Sequence, residues 1–244
     1  MAKIILTEAQ LRNIIIEEKM NSGELVGEPL FNYLLTESFN RNDFIKYLRR
    51  AIAIGTITLA SACSYIDRIG NMSNDVKEQL KIELQAAKER QNLHTQKVNA
   101  CKQYMEWAAK NVNMNPKDIQ LDPDVLVSAC EESNFDLPLA MAQAHMESCF
   151  GLTPRAKSTN SVFSVGLYDS GQNAVTYENQ NASVKPYIRL MKNNYLVDKS
   201  IDQLLTPGSF VNQDNKRYAS SKTYENDIKS IRNRILRMYP ELGK

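Results

Sequence analysis

An excess of charge of one sign is missing from this chain: 30 Lys and Arg residues stand against 28 Asp and Glu, a formal net charge of +2 over 244 residues. No strong whole-surface field is therefore available to hold nucleic acid or an anionic membrane, and no nucleic-acid partner is expected. Histidine is scarce, with His94 and His145 alone, and the four cysteines Cys63, Cys101, Cys130 and Cys149 form no CxxC pair. That spacing argues against the common zinc patterns, so no metal site is expected, and free buried thiols suit a reducing compartment. A long apolar run is also missing. Ala51 to Ile66 carries no charge but spans only sixteen residues, short of the roughly 20 that cross a bilayer, and Thr56, Thr58, Ser61 and Ser64 dilute it. A buried or oligomer-facing helix is the leading expectation for 51–66, with membrane contact the second. The first residues soon meet Glu8, Arg12, Glu17 and Glu18 and form no apolar signal-peptide core, so classical secretion is not expected.

What the chain does have is 43% hydrophobic residues, enough to pack one large domain or two modest ones. Thr7-Glu8-Ala9-Gln10 has the form of a capping box ahead of a short helix with Leu11, Ile14 and Ile15 on one side, ended by Gly23, Gly27 and Pro29. A second helical stretch begins near Asn42. From Asn74 to Val112 no Pro or Gly interrupts the chain. Ala87, Gln91, His94, Val98, Cys101, Met105, Ala108 and Val112 recur there at spacings of four and three, predicting one long helix packed on another helix or another copy. His94 and Gln91 on that seam read as a polar layer rather than as metal ligands. Asn113 to Lys117 breaks the pattern, and Asp122-Pro123 restarts a helix with an N-cap and a proline in its first turn. Two regions are expected, 1–120 helical and 121–244 a second domain, the latter with fourteen residues of each charge sign.

In the second region Asp136 is placed to cap a helix whose first turn tolerates Pro138. Leu137, Leu139, Ala140, Met141, Ala142, Ala144 and Met146 make most of its circumference apolar, so it belongs in a core. Gln143 and Glu147, four residues apart, share one face. A carboxylate on such a helix is costly unless it is used or satisfied. Burial disfavours its charged form, which is how a Glu stays protonated near neutral pH and donates to a leaving oxygen. The residues alone leave two readings open: a general acid, or a carboxylate satisfied by a buried partner or exposed near a helix end.

Ala142 to Gly151, reading Ala-Gln-Ala-His-Met-Glu-Ser-Cys-Phe-Gly, resembles the glutamate helix of the glucosaminidase family of peptidoglycan hydrolases. Asn160-Ser161-Val162-Phe163 is similar to that family's Asn-Asn-Leu-Phe-Gly element, and Tyr177 to Tyr195 to its helix after a hairpin. Lys216-Arg217-Tyr218-Ala219-Ser220 with Tyr224 resembles its Tyr-Ala-Thr-Asp-Pro-x-Tyr segment. Together these cover most of residues 137 to 237. Three places depart: Cys149 replaces a Gly, Ser164 stands where a Gly follows the Phe, and Ser220-Ser221-Lys222 replaces Thr-Asp-Pro.

The resemblance implies a mainly α protein with a lysozyme-like C-terminal domain and a small β-hairpin, preceded by a helical region with one long helix. Val162 to Tyr168 and Ala174 to Tyr177 are the expected strands, joined across Asp169 to Asn173. It implies hydrolysis of the β-1,4 bond after N-acetylglucosamine in peptidoglycan glycan strands, with no metal or organic cofactor. Glu147 maps onto the acid and Tyr218 onto the cleft tyrosine. Asp169 and Glu178 are the nearby carboxylates for a second role, unless the substrate's acetamido group assists and removes the need for one. Gln143, Asn160, Phe163 and Tyr224 are the expected substrate-binding residues.

Residues 1–120 are expected to anchor or assemble the protein, as a homo-oligomer or with virion proteins. A bacteriophage particle, or host cytoplasm with delivery to the wall during lysis, is the expected location. Two other functions compete: a lytic transglycosylase of the same fold, and a non-catalytic structural virion or wall-binding protein.

Overall fold

The structure, a computed structural model, describes residues 59–68, 74–166 and 175–244. The capping box at Thr7, the helices expected before residue 59, and Asp169 lie outside the described residues. The protein is mainly helical, as the patterning predicts. It divides into two compact units, Met1–Leu93 and His94–Lys244.

In the first unit, α1 (Leu59–Arg68) takes up the end of the uncharged run and buries Ala62 and Ile66, four residues apart on one face. The helix α2 (Asn74–Asn111) is the uninterrupted helix expected over this stretch. Its residue Lys81 bonds Asp67 at 2.7 Å and Glu78 at 2.9 Å. Among the described residues no helix is long and apolar enough to cross a membrane.

The second unit begins inside α2, before the expected break at 113–123. Ala100, Cys101, Tyr104, Met105, Ala108 and Ala109 are buried in this unit's core. The seam positions Cys101, Met105 and Ala108 are thus satisfied within the chain, while Val112 ends the pattern exposed. All four cysteines are free thiols, with Cys101, Cys130 and Cys149 buried.

After a short 3-10 turn at Pro116–Asp118 come α3 (Pro123–Glu132) and α4 (Leu137–Ser148). Each starts where the sequence provides a cap: Asp122 accepts from the Asp124 N–H at 2.9 Å, and Asp136 from the Leu139 N–H at 2.6 Å. These caps satisfy N–H groups that have no intrahelical partner.

The helix α4 is the centre of the unit. Every residue from Leu137 to Ala144 is buried, so no polar stripe faces water until the last turn. Following it are α5 (Pro154–Thr159) and α6 (Val184–Leu190), the latter running into a π-helical turn over Met191–Tyr195. Last come α7 (Ile201–Leu204) and α8 (Tyr224–Met238). α8 lies along α4, and α3 packs against both α4 and α6. Arg232 of α8 grips the cap residue Asp136 with two bonds of 3.0 and 2.8 Å. A bidentate pair of this kind fixes orientation as well as distance.

The expected hairpin is not formed where it is described. Residues 162–166 make turns and 175–177 are irregular. Ser164 (φ 55) and Gly166 (φ 72) adopt left-handed backbone, which breaks an extended strand. A Val175 N–H to Gly166 carbonyl bond of 3.4 Å is the cross-link between the two arms. Among the described residues β pairing is limited to one antiparallel bridge, Val211 to Arg217.

His94, read as a polar position on the α2 seam, is clamped between two carboxylates of α3. Its Nδ1 lies 2.7 Å from Glu131 and its Nε2 2.8 Å from Asp124. Lys97 adds a 2.9 Å bond to Glu131. Partial burial lowers the His94 pKa, but the two carboxylates outweigh it and hold the ring above its ordinary 6.5. Burial likewise raises Glu131, and its bonds from His94 and Lys97 outweigh that, holding it below its ordinary 4.5.

The raised histidine stabilises the fold fully below pH 6.5 and loses that contribution as pH rises through its folded value. The depressed Glu131 contributes above 4.5 and loses its share as pH falls through its folded value. Thermal melts at pH 5.5 and pH 8 should therefore show a loss at pH 8 that His94→Gln diminishes. An equal pH dependence in parent and variant would refute the clamp.

Candidate functional site

The site is built at the C-terminal end of α4, where the chain reverses through three consecutive left-handed residues, Cys149 (φ 48), Phe150 (φ 59) and Gly151 (φ 87). Cys149 N–H donates to the His145 carbonyl and Phe150 N–H to the Ala144 carbonyl, both at 2.9 Å, so the reversed chain satisfies carbonyls of the last helical turns. The reversal lets the Ser148 hydroxyl accept from Gly151 N–H at 2.8 Å and donate to the Val162 carbonyl at 2.6 Å. One serine thus ties the helix end to the loop at 160–166.

That loop is held at two further points. Asn160 donates from Nδ2 to the Tyr177 carbonyl at 2.9 Å, and the Tyr218 hydroxyl donates to the Phe163 carbonyl at 2.6 Å. Directly after the second anchor comes Ser164, whose side chain hydrogen-bonds Glu147.

Glu147 receives a second bond, 2.6 Å from the Tyr224 hydroxyl to Oε1. Behind Tyr224 the array continues: Gln143 Nε2 donates to the Tyr224 oxygen at 3.1 Å, and the Tyr187 hydroxyl donates to Gln143 Oε1 at 2.5 Å. Gln143 is fully buried and Glu147 mostly buried, with an edge open to solvent. Burial raises the Glu147 pKa, and the bonds from Tyr224 and Ser164 pull against it without cancelling the shift. Tyr224 is held well above its ordinary value by burial first and then by the Glu147 charge, so it stays a neutral donor. A carboxyl in this setting keeps its proton to higher pH and gives it to a basic oxygen that approaches from the exposed side.

The structure brings together Glu147, Gln143 and Tyr224 directly. Tyr218 stacks beside Tyr224, with ring centroids 5.8 Å apart and planes 22° from parallel. Phe163 is fully buried and stacks on Tyr187 at 3.9 Å, so its ring packs the core beneath the site and offers no free face to a ligand. Asn160 is a brace for the loop, and Gln143 supports Tyr224 from behind. Glu178 is exposed, and its carbonyl accepts a 3.3 Å bond from Asn160. Tyr187 and Ser164 were not anticipated. Tyr187 lies in a helix without a local motif, whereas Ser164 was visible as the residue replacing a Gly.

No protein-family model and no curated protein sequence matches this chain. The site therefore rests on its own chemistry. Among the described residues no group of three or more His, Cys, Asp or Glu side chains is arranged to hold a metal ion. His145, next to Glu147 in sequence, is pushed down to about 4 by burial and by the Arg234 charge. It is neutral near pH 7, and its Nδ1 shares a 2.8 Å hydrogen bond with the Tyr104 hydroxyl. A separate cavity of about 270 Å³, lined among others by Lys97, Cys130, Glu131 and Asp136, does not include Glu147. Glu131 on its wall is paired with His94 and Lys97, and Asp136 with Arg232.

Proposed function

We propose that this protein is a peptidoglycan hydrolase, an endo-β-N-acetylglucosaminidase in which Glu147 is the general acid that protonates the leaving glycosidic oxygen. The observation that carries the reading is the Glu147 carboxyl itself: raised by burial, only partly exposed, and held by the hydroxyls of Tyr224 and Ser164. A structural carboxylate buried for stability is ordinarily matched by a cation, as Asp136 is by Arg232 and Glu225 by Arg217 in this same unit. Glu147 has hydroxyl partners instead, which leave it able to hold a proton.

A second support comes from the two places where the chain departs from the glucosaminidase pattern by replacing a Gly. Cys149 and Ser164 both sit in the left-handed region, at φ 48 and φ 55. Glycine is the default residue for that conformation, so the backbone keeps the shape of the pattern where the side chains do not. The domain is read as a lysozyme-like arrangement, with the glutamate helix in the core and residues 160–166 and 175–177 contributing to one wall.

The second role falls to another carboxylate, Asp169 or Glu178, or to the substrate's own acetamido group. A lytic transglycosylase would use a single Glu in the same way. The proposed setting is a bacteriophage particle or phage-driven lysis, with residues 1–120 assembling the protein through its own copies or virion partners. Mass spectrometry of purified peptidoglycan digested by the full chain tests the reading. Reducing N-acetylglucosamine ends are expected. Anhydro-muramic ends would assign the transglycosylase instead, and intact glycan would leave a wall-binding or structural virion protein.

A further inference from the structure

We propose that Gln143 and Tyr187 are positioning residues for Glu147: they aim the Tyr224 hydroxyl proton at Oε1, so that the transferable proton is carried on Oε2. The inference rests on the reading of Glu147 as an acid and goes beyond it, because neither residue reaches the reacting atoms.

The direction of the array follows from what each group is able to donate. A Gln amide has one acceptor oxygen and one donor nitrogen. The Tyr187 hydroxyl meets the oxygen end of Gln143, so it donates there. The nitrogen end then faces Tyr224 and donates to its oxygen. With that side of the Tyr224 oxygen occupied by an incoming N–H, its own proton points at Glu147 Oε1. Oε1 is thereby fixed as an acceptor, and protonation of the carboxyl falls on the other oxygen. Ser164 does not set this polarity, since a hydroxyl donates or accepts equally.

Flipping the Gln143 amide would reverse every bond. Tyr187 would become an acceptor and its proton would lose the bond it now makes, although the ring is fully buried and clamped face to face on Phe163. Buried donors are rarely left without partners, so Tyr187 locks the amide and the amide locks Tyr224.

Tyrosines from three places lie within electrostatic reach of the carboxyl: Tyr224 of α8, Tyr187 of α6, and Tyr218 ahead of α8. Burial is the leading cause holding each above its ordinary value, with the Glu147 charge contributing, so all three stay neutral. Cys130 and Asp136 also act on Tyr187.

The test uses the full chain and reads Glu147 without reference to activity. Carbon-13 NMR titration of glutamate carboxyls, with Glu147→Gln to assign the resonance, should show the Glu147 midpoint rising by about half a pH unit or more in Tyr187→Phe, which keeps the ring. A larger rise is expected in Tyr224→Phe, which removes the donor itself. A Glu147 midpoint unchanged in a folded Tyr187→Phe overturns the proposal. In the parent, contacts from the Gln143 side-chain amide protons to the Tyr224 ring support the orientation, and contacts to the Tyr187 ring instead overturn it. Absence of wall digestion would defeat the hydrolase reading and leave both readouts standing.

Discussion

Under the general-acid proposal, Glu147→Gln is expected to lower the rate of glycan cleavage by about 10²–10⁴-fold, the range that a positioned proton donor contributes, while the protein remains folded. The substitution is close to isosteric, and the amide oxygen still accepts the 2.6 Å bond from Tyr224. What is lost is the acidic proton. Stability should hold or rise slightly, because a carboxyl raised by burial weakens the native state at pH 7 and an uncharged amide does not. That pairing of outcomes separates a catalytic carboxyl from a structural one, whose removal would cost stability and spare turnover. The same shift predicts the pH profile of the parent. Cleavage falls as pH rises through the raised Glu147 value, since the protonated form is the one that works. Reducing-end release at several pH values, together with a thermal melt of each protein, reads all of this. Undiminished release by a folded Glu147→Gln would end the general-acid assignment.

Helix starts and the core helix were legible in the sequence because they depend on nearest neighbours. Asp122 and Asp136 cap the helices they precede, and α4 is buried on nearly all sides as its run of apolar residues requires. Glu147 was legible as one polar position on that helix. The groups that tune it were less so: Tyr224 was named from its own segment but not as the partner of Gln143, 81 residues away, and Tyr187, 44 residues from Gln143, was not named. No local pattern encodes either pairing. Phe163 misled for a related reason. An aromatic near a cleft reads as a sugar platform, but whether its face is free depends on Tyr187, which covers it. The hairpin misled through its backbone. Val162 to Tyr168 has strand-forming residues, yet Ser164 and Gly166 take left-handed conformations and the loop is shaped by Ser148, Asn160 and Tyr218 rather than by cross-strand pairing.

Gly151→Ala should destabilise the second unit by about 2–5 kcal/mol, combining roughly 1–2 for an L-residue in left-handed backbone with about 1–3 for the loss of a buried hydrogen bond. Gly151 has φ 87, and a Cβ there would overlap the side-chain amide of Gln180. That amide is buried and donates from Nε2 to the Gly151 carbonyl at 3.0 Å, so it has no free direction in which to retreat. The expected fall in Tm is roughly 10 °C for a unit of this size. Gln180→Ala in the same chain vacates the space and should recover the steric share but not the backbone strain, so the pair couples in a double-mutant cycle. The site responds as well. Gly151 N–H is held by the Ser148 hydroxyl that also binds the Val162 carbonyl, and Val162 leads to Ser164 at the Glu147 carboxyl. Displacing Gly151 therefore loosens the loop that supplies one of the two hydroxyls on the acid, and the Glu147 midpoint should rise along with the loss of stability. A variant that melts with the parent, or one whose stability falls without any movement of that midpoint, would break the proposed link between the helix turn and the acid.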